Sequence, residues 1–223
     1  MKNVIKIIPP ALLKKFSSNH NEVTDTYFNF PKLIRNFYWK RLNTMLKLSL
    51  KYKNKDIIEN VLGLGCGQGV LLPSLSYYYK NVTGIDLNIF SAARIVKHFK
   101  LFNVNLFKCS FLSNNFTKNS FDIIFAASVL EHFDDIEKII IEIKRLLREN
   151  GLLIFSSPTE TKLYEFARRC FKVKKPDDHY HSAFDIINVT KKHLELIKLK
   201  KLPYNFFPIE LSLHVISVFK KAN

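Results

Sequence analysis

The run Val61-Leu62-Gly63-Leu64-Gly65-Cys66-Gly67-Gln68-Gly69 constrains this chain more than any other stretch. Four of its six glycines fall at alternate positions there, directly after an apolar segment. A strand ending in closely spaced glycines turns sharply into a helix and lets a ligand approach the backbone at that helix's N-terminus. Twenty-one residues after Gly65 stands Asp86, at the end of a second apolar segment, Asn81–Asp86. A carboxylate at that place can accept both hydroxyls of a ribose. The spacing also separates nucleotide classes. A dinucleotide fingerprint needs glycine at position 70, which is Val70, and a P-loop needs Lys-Ser or Lys-Thr after the glycines, which this turn lacks.

The segments around the turn alternate in character. Ile57–Leu64, Asn81–Asp86, Asn105–Lys108, Phe121–Ala127 and Leu152–Ser156 are short apolar runs expected as strands. Gly69–Tyr79, Phe90–Phe99 and Ile136–Arg148 carry helical spacing, the last stopping at Asn150-Gly151. Strands apolar on both faces and separated by helices predict a parallel sheet covered on two sides. Beyond Pro158, Thr161–Phe171 and Ala183–Leu194 read as helices, Lys172–His181 as a polar loop, and Leu196–Leu202 and Leu213–Lys220 as strands. Their short link, bearing Pro203 and Pro208, predicts an antiparallel edge. Ahead of the first strand, residues 11–55 read as helical, with Leu33, Ile34, Phe37, Tyr38, Arg41, Leu42, Met45, Leu46 and Leu50 at three- and four-residue spacing and Pro31 in a first turn. The expected fold class is α/β: a Rossmann-like, seven-stranded, mostly parallel sheet with an antiparallel C-terminal strand and helices on both faces. Residues 1–56 are expected as an N-terminal helical cap on a domain spanning 57–223. Within that domain the ligand-binding core would occupy 57–157, and the acceptor side with the last strands 158–223.

Composition bounds what such a domain does. The 223 residues are 47% apolar, enough for one sizeable core, and the 24% charged fraction argues against disorder. Cys66, Cys109 and Cys170 are scattered and lack metal-ligand spacing, which argues against a disulfide framework and a structural zinc site and points to a reducing cytoplasm. No apolar run approaches the roughly 20 residues of a membrane span. Met1–Phe16 holds Pro9-Pro10 and Lys14-Lys15 without a small-residue cleavage site, so it does not read as a signal peptide. The net charge of +16 is uneven, with +8 over residues 1–60, +2 over 61–159 and +6 over 160–223. Such flanks could meet RNA, an anionic membrane surface or a phosphorylated substrate. Only seven of the 35 basic residues are arginine, the side chain suited to bidentate phosphate recognition, and a solvated basic surface is the simpler reading.

Residues from about 58 to 157 resemble the class I S-adenosylmethionine-dependent methyltransferases, within them the broad small-molecule group (type 11) that includes quinone-biosynthesis O- and C-methyltransferases. The resemblance rests on VLGLGCGQG, GIDLN, NSFDIIFAASVLEHFDD and RLLRENGLLIFSSP. It implies S-adenosylmethionine as cofactor, with Gly65, Cys66, Gly67 and Gly69 at its methionine part and Asp86 at its ribose. It further places Ile85, Leu87, Ser110 and Phe111 around the adenine, and Ala127, Ser128, His132 and Phe133 along the cleft shared by cofactor and substrate. Two positions depart from the family pattern. An acidic residue usual in that family is replaced by Gly63, and another, at the adenine amino group, by Ser110.

Methyl transfer is an in-line displacement that positioning alone can accelerate, and a hydroxyl acceptor adds a use for a general base. His132, just past the Phe121–Ala127 strand, is the candidate base; Glu131 reads as a structural partner. His179, Tyr180 and His181 in the polar loop, with Tyr38 in the aromatic N-terminal region, are the candidate acceptor-binding residues. No metal site is expected, because His179 and His181 beside Asp177-Asp178 lack diagnostic spacing. Arg168-Arg169 and Lys172–Lys175 could meet an anionic substrate group. The expected partner is a small-molecule or lipid-like acceptor, anionic or membrane-associated, with no transmembrane segment. An RNA or protein methyltransferase, or a non-catalytic cofactor-binding protein, stands as the alternative. The expected location is the cytoplasm or its membrane surface.

Overall fold

Each apolar run of the central segment forms a strand in the computed structural model, which describes residues 4–17, 26–53, 60–170, 178–206 and 208–222. The strands are β1 (Asn60–Leu64), β2 (Asn81–Asp86), β3 (Val104–Lys108), β4 (Phe121–Ala127), β5 (Leu147–Pro158), β6 (Glu195–Leu202) and β7 (His214–Lys220). They make one seven-stranded sheet in the order β3-β2-β1-β4-β5-β7-β6. β1 to β5 pair in parallel, and β7 runs antiparallel to both of its neighbours. The order reverses between β1 and β4, and a crevice at the carboxyl ends of these two strands is where such a sheet binds ligands.

Strand residues alternate between two cores. Val61, Val82, Ile123, Phe125, Ile154 and Ile216 face one cluster, while Leu62, Ile85, Ile124, Leu153, Phe155 and Val215 face the other. Helices α1 (Pro10–Phe16), α2 (Lys32–Tyr52), α3 (Leu72–Tyr78) and α4 (Phe90–His98) contribute to the first cluster. Leu42, Met45 and Leu46 of α2 are buried there, so the N-terminal region shares its core with the sheet. On the opposite face lie α5 (Ile136–Leu146) and α7 (Ala183–Lys191). α5 buries Ile136, Ile139, Ile140, Ile143 and Leu146, one stripe at helical spacing, and Asp135 caps it by accepting from Lys138 N at 3.0 Å. A cap of this kind stabilises a helix by about 1 kcal/mol. The last helix, α6 (Lys162–Cys170), follows β5.

Two expectations need correction. Residues 11–55 are not one helix: α1 ends at Phe16 and α2 begins at Lys32. Pro31 is the N-cap of α2, extended at ψ 149, and proline cannot continue a helix through its own position. The helix expected to run to Arg148 stops at Leu146, and β5 begins at Leu147 instead. Leu147 pairs with Phe121, and Arg148 Nη1 reaches Asp122 Oδ1 at 3.0 Å, so the helical spacing is overruled by pairing with the edge of β4. The expected boundary at 56/57 and the start of the first strand lie outside the described residues.

Candidate functional site

The glycine turn after β1 follows from backbone sterics. Gly65, Gly67 and Gly69 adopt φ +64, +48 and +77, the left-handed region. A Cβ on Gly65 would sit 2.4 Å from Val129 Cγ2, and one on Gly69 2.9 Å from Ala92 Cα. Cys66 N donates to Ile85 O at 3.0 Å, which ties the turn to β2. Gly67 N donates to Asp86 Oδ2 at 2.7 Å, and Asp86 Oδ1 accepts from Asn88 N at 2.9 Å. The carboxylate is thus fixed at the carboxyl end of β2, against the turn. Burial, with the Asp86 charge, pushes the Cys66 thiol up to about 12, so it is no nucleophile. The Gln68 side chain is buried beside the turn, and neither polar atom of its amide has a hydrogen-bond partner among the described residues.

The expected adenine residues divide. Leu87 is 71% exposed, an apolar side chain presented to solvent immediately after Asp86. Ser110 is exposed as well. Phe111 is buried in the core beside Phe133, at 6.5 Å between ring centroids, so it supports the site from within. Gly63 has ordinary space for a side chain: a Cβ there would find nothing nearer than Thr83 O at 3.7 Å.

At the end of β4 a second constellation begins. Ala127 is half-buried, and Ser128 holds φ +54, an uncommon conformation for a residue with a side chain, while its N–H donates to Ser156 O at 2.8 Å. Arg41, from the middle of α2, donates through Nη1 to Ser128 Oγ and through Nη2 to the Tyr27 hydroxyl at 3.2 Å. Its guanidinium stands 5.0 Å from the Tyr38 ring, it is buried, and Nε has no hydrogen-bond partner among the described residues. The 3-10 turn Leu130–His132 then brings in Glu131, which is buried and accepts from Ser157 Oγ at 3.2 Å. Burial raises the Glu131 pKa above the ordinary carboxyl value.

Two histidines meet beside it. His132 Nδ1 lies 2.9 Å from Asp178 Oδ2, His179 Nδ1 lies 2.9 Å from Glu160 Oε1, and the two rings are 4.7 Å apart. Behind them His214, first residue of β7, is packed among Phe37, Tyr38 and Tyr164 at 5.5, 5.9 and 5.7 Å. Burial holds its imidazole neutral, with a pKa well below the usual 6.5. Arg168 of α6 lies 3.4 Å from Glu160 and over the Tyr164 ring.

Of the expected acceptor-side residues, Tyr38, His132 and His179 come together here. Tyr180 and His181 do not. Tyr180 is 58% exposed and contributes its N–H to Glu131 O at 2.9 Å, and the His181 ring turns to Asp134 O at 2.9 Å. Side-chain alternation along an extended segment turns Tyr180 away from His179, and the hydrogen bond to Asp134 O draws His181 away from it. Lys172–Lys175 and Asp177 lie outside the described residues. Sequence reasoning missed Arg41, Gln68, Glu160, Tyr164 and His214. One signal was present for Arg41, a cation on an otherwise apolar helical stripe; the others carry none within their own segments.

Comparison with known proteins agrees with the geometry. Residues 62–155 match the family model described as a methyltransferase domain. A ubiquinone biosynthesis O-methyltransferase of Glaesserella parasuis is 33% identical over 110 residues, 46% of this chain and 47% of that protein. One from Coxiella burnetii is 30% identical over 125 residues, 53% of each. The chain therefore spans about half the length of the curated relatives it matches. The crystal structure of N-methyltransferase NodS from Bradyrhizobium japonicum in complex with S-adenosyl-L-homocysteine superposes with a TM-score of 0.69 at 19% identity, covering 100% of both chains, which is a likeness of fold. The stretch that matches the methyltransferase domain begins in β1 and ends in β5, and it takes in both the glycine turn and Asp86, so the likeness to class I S-adenosylmethionine-dependent methyltransferases of the type 11 group falls on the elements that build this end of the cleft.

Proposed function

We propose that this chain transfers the methyl group of S-adenosylmethionine to a small, lipid-like acceptor that enters from the side of Tyr38, His132 and His179. The observation that carries this reading is the Asp86 carboxylate hydrogen-bonded to Gly67 N across the glycine turn. The residues present fit the cofactor. Asp86 retains lone pairs for two ribose hydroxyls, and Leu87 offers an apolar surface to a base. The Gln68 amide and Nε of Arg41, without partners among the described residues, are buried polar atoms that a ligand could satisfy. Arg41 suits the carboxylate of the methionine part.

Bound S-adenosylmethionine supplies a methyl carbon on a positively charged sulfur. The chain's own contribution is to hold, to orient and to deprotonate. Correct placement of two reactants is worth about 7–11 kcal/mol of barrier. Tyr27 and Tyr38 pack against Arg41, and Tyr164 meets His214 beside them, which gives this end of the cleft an aromatic wall. His132, its Nδ1 beside Asp178, takes the proton of an acceptor hydroxyl, and the Asp178 carboxylate stabilises the imidazolium that results. In this reading residues 1–56 act as a cap, with α2 delivering Tyr38 and Arg41.

Calorimetry of S-adenosylmethionine against the native chain and Asp86→Ala tests the cofactor. Loss of charge-assisted hydrogen bonds of about 1.5–3 kcal/mol predicts a roughly 10- to 100-fold weaker variant. No heat from the native chain, or equal affinity in the variant, overturns the reading. Transfer of labelled methyl to fractionated cell extract tests the acceptor: label in the organic-soluble fraction is expected, and label confined to RNA or protein overturns the small-molecule assignment.

A further inference from the structure

Glu131, His132 and His179 come from two separate segments, yet one carboxylate oxygen and one ring nitrogen from each histidine all lie within 4.8 Å of one another. His179 Nδ1 is hydrogen-bonded to Glu160 Oε1 at 2.9 Å, and Asp178 Oδ2 lies 2.9 Å from His132 Nδ1 without hydrogen-bond geometry. A carboxylate placed as Glu160 is fixes the tautomer and orientation of a metal-binding histidine and raises the basicity of its coordinating nitrogen, and Asp178 stands close enough to His132 to do the same after a small rotation. Glu131 itself is 1% exposed, and no arginine or lysine forms an ion pair with it among the described residues. Arg41 acts on this buried carboxylate only from beyond ion-pair distance, and a divalent ion held directly by Glu131 and the two imidazoles is the compact way to compensate it.

We propose that Glu131, His132 and His179 form a binding site for a zinc-class divalent cation at the acceptor end of the cleft. Two imidazoles and one carboxylate are a borderline-soft donor set that suits Zn²⁺, whereas Mg²⁺ prefers oxygen ligands alone. Three protein ligands leave a fourth position open, the arrangement found in catalytic zinc sites. Tetrahedral bonds of about 2.0 Å put ligand atoms about 3.3 Å apart, so binding draws the three groups together by side-chain rotation. No metal was expected from the sequence, because the spacing of His179 and His181 is not diagnostic; the fold parts those two and sets His179 beside His132 instead.

The site's purpose rests on the methyltransferase reading, while its existence does not. An acceptor hydroxyl in the open position loses its proton to solvent more readily when coordinated. The resulting oxyanion donates its electron pair to the methyl carbon, and the carbon–sulfur bond breaks with its pair returning to sulfur. His132 then serves as a ligand, and deprotonation passes from the imidazole to the cation.

The test uses the full chain without an affinity tag, stripped with chelator and titrated with Zn²⁺ alone, with Mg²⁺ as comparator. One equivalent of Zn²⁺ is expected to bind, and His179→Ala should weaken it at least 100-fold. Glu160→Gln and Asp178→Asn should weaken it about 10- to 100-fold. Absence of stoichiometric Zn²⁺ binding overturns the proposal, as does binding of Mg²⁺ in preference, or unchanged Zn²⁺ affinity in His179→Ala. His179→Gln, checked by circular dichroism, replaces the alanine variant if that one fails to fold. S-adenosylmethionine heats measured on the same proteins separate failure of this site from failure of the cofactor reading.

Discussion

The two ends of the cleft are built in different ways. The cofactor end comes from one continuous stretch and its neighbour: β1, the glycine turn, and Asp86 at the end of β2, linked by backbone N–H groups of the turn that donate to Ile85 O at 3.0 Å and to the Asp86 carboxylate at 2.7 Å. The acceptor end gathers side chains from α2, the turn after β4, the end of β5, α6, the 178–182 loop and β7. Backbone geometry specifies the first, and tertiary packing assembles the second. Substitutions at the first should therefore act locally and steeply, and those at the second should spread into stability and pH response.

The largest effect is expected at Gly65. Any side chain there meets Val129 at 2.4 Å and demands φ +64, so Gly65→Ala combines overlap with backbone strain. Strain of about 1–2 kcal/mol and overpacking of about 1–3 kcal/mol predict a loss of cofactor affinity on the order of 100-fold or more. Calorimetry reads it, and a variant within threefold of the native chain would show that the turn does not carry binding. Gly84, whose Cβ would meet Leu106 at 2.7 Å, should respond through stability instead, because it underlies the turn and does not face the ligand.

Arg41 contacts Ser128, Tyr27 and Tyr38 at the acceptor end and is proposed to reach the cofactor, so it sharpens the comparison most. Arg41→Met keeps the aliphatic packing and removes the contacts to Ser128 and Tyr27. If the guanidinium holds the methionine carboxylate, affinity falls by roughly 10- to 100-fold on the scale of charged hydrogen bonds, and Arg41→Lys recovers only part. If Arg41 only braces the acceptor wall, the thermal midpoint drops and cofactor affinity does not move. Both measurements on both variants decide between these outcomes.

The same division explains what the sequence could tell. All seven strands and the antiparallel edge were legible, because apolar runs and glycine turns encode them within a few residues; β5 was the furthest off, expected at 152–156 and found at Leu147–Pro158, because helical spacing continues through Leu147 and Arg148. The glycine turn and Asp86 were legible for the same local reason. Of the acceptor cluster, His132, His179 and Tyr38 could be nominated but not joined. Glu160, Tyr164 and His214 were invisible, since nothing in their own segments distinguishes a buried polar residue from an exposed one. Arg41 was visible only as a charge on an apolar stripe.

His214 gives the acceptor end a pH signature that the cofactor end lacks. Its folded pKa lies well below 6.5 because burial disfavours the cation, with Arg41 and His179 pushing the same way. The neutral form is favoured in the fold, so this contribution to stability is complete above about 6.5 and is lost as pH falls from there toward the folded value. The thermal midpoint should decline on acidification below pH 6.5, and His214→Phe, filling the space among Phe37, Tyr38 and Tyr164, should flatten that decline. An unchanged slope in the variant would assign the acid limb to other groups.

The smallest expected effect runs in the favourable direction and tests whether the cofactor end is complete. Gly63 stands where the resemblance expects an acidic residue, its φ is not left-handed, and a Cβ finds only Thr83 O at 3.7 Å and Cys66 Cβ at 3.9 Å. Those are ordinary contacts, so Gly63→Asp can be accommodated without moving β1. A carboxylate there would meet the ammonium of the methionine part, a charged hydrogen bond of about 1.5–3 kcal/mol before the cost of burying the new charge. The net expectation is a gain of a few-fold in affinity, with no gain for Gly63→Asn of equal size. A loss in both variants would mean that the pocket is shaped around the missing side chain, and that Arg41 and Gln68 already hold that end of the ligand unaided.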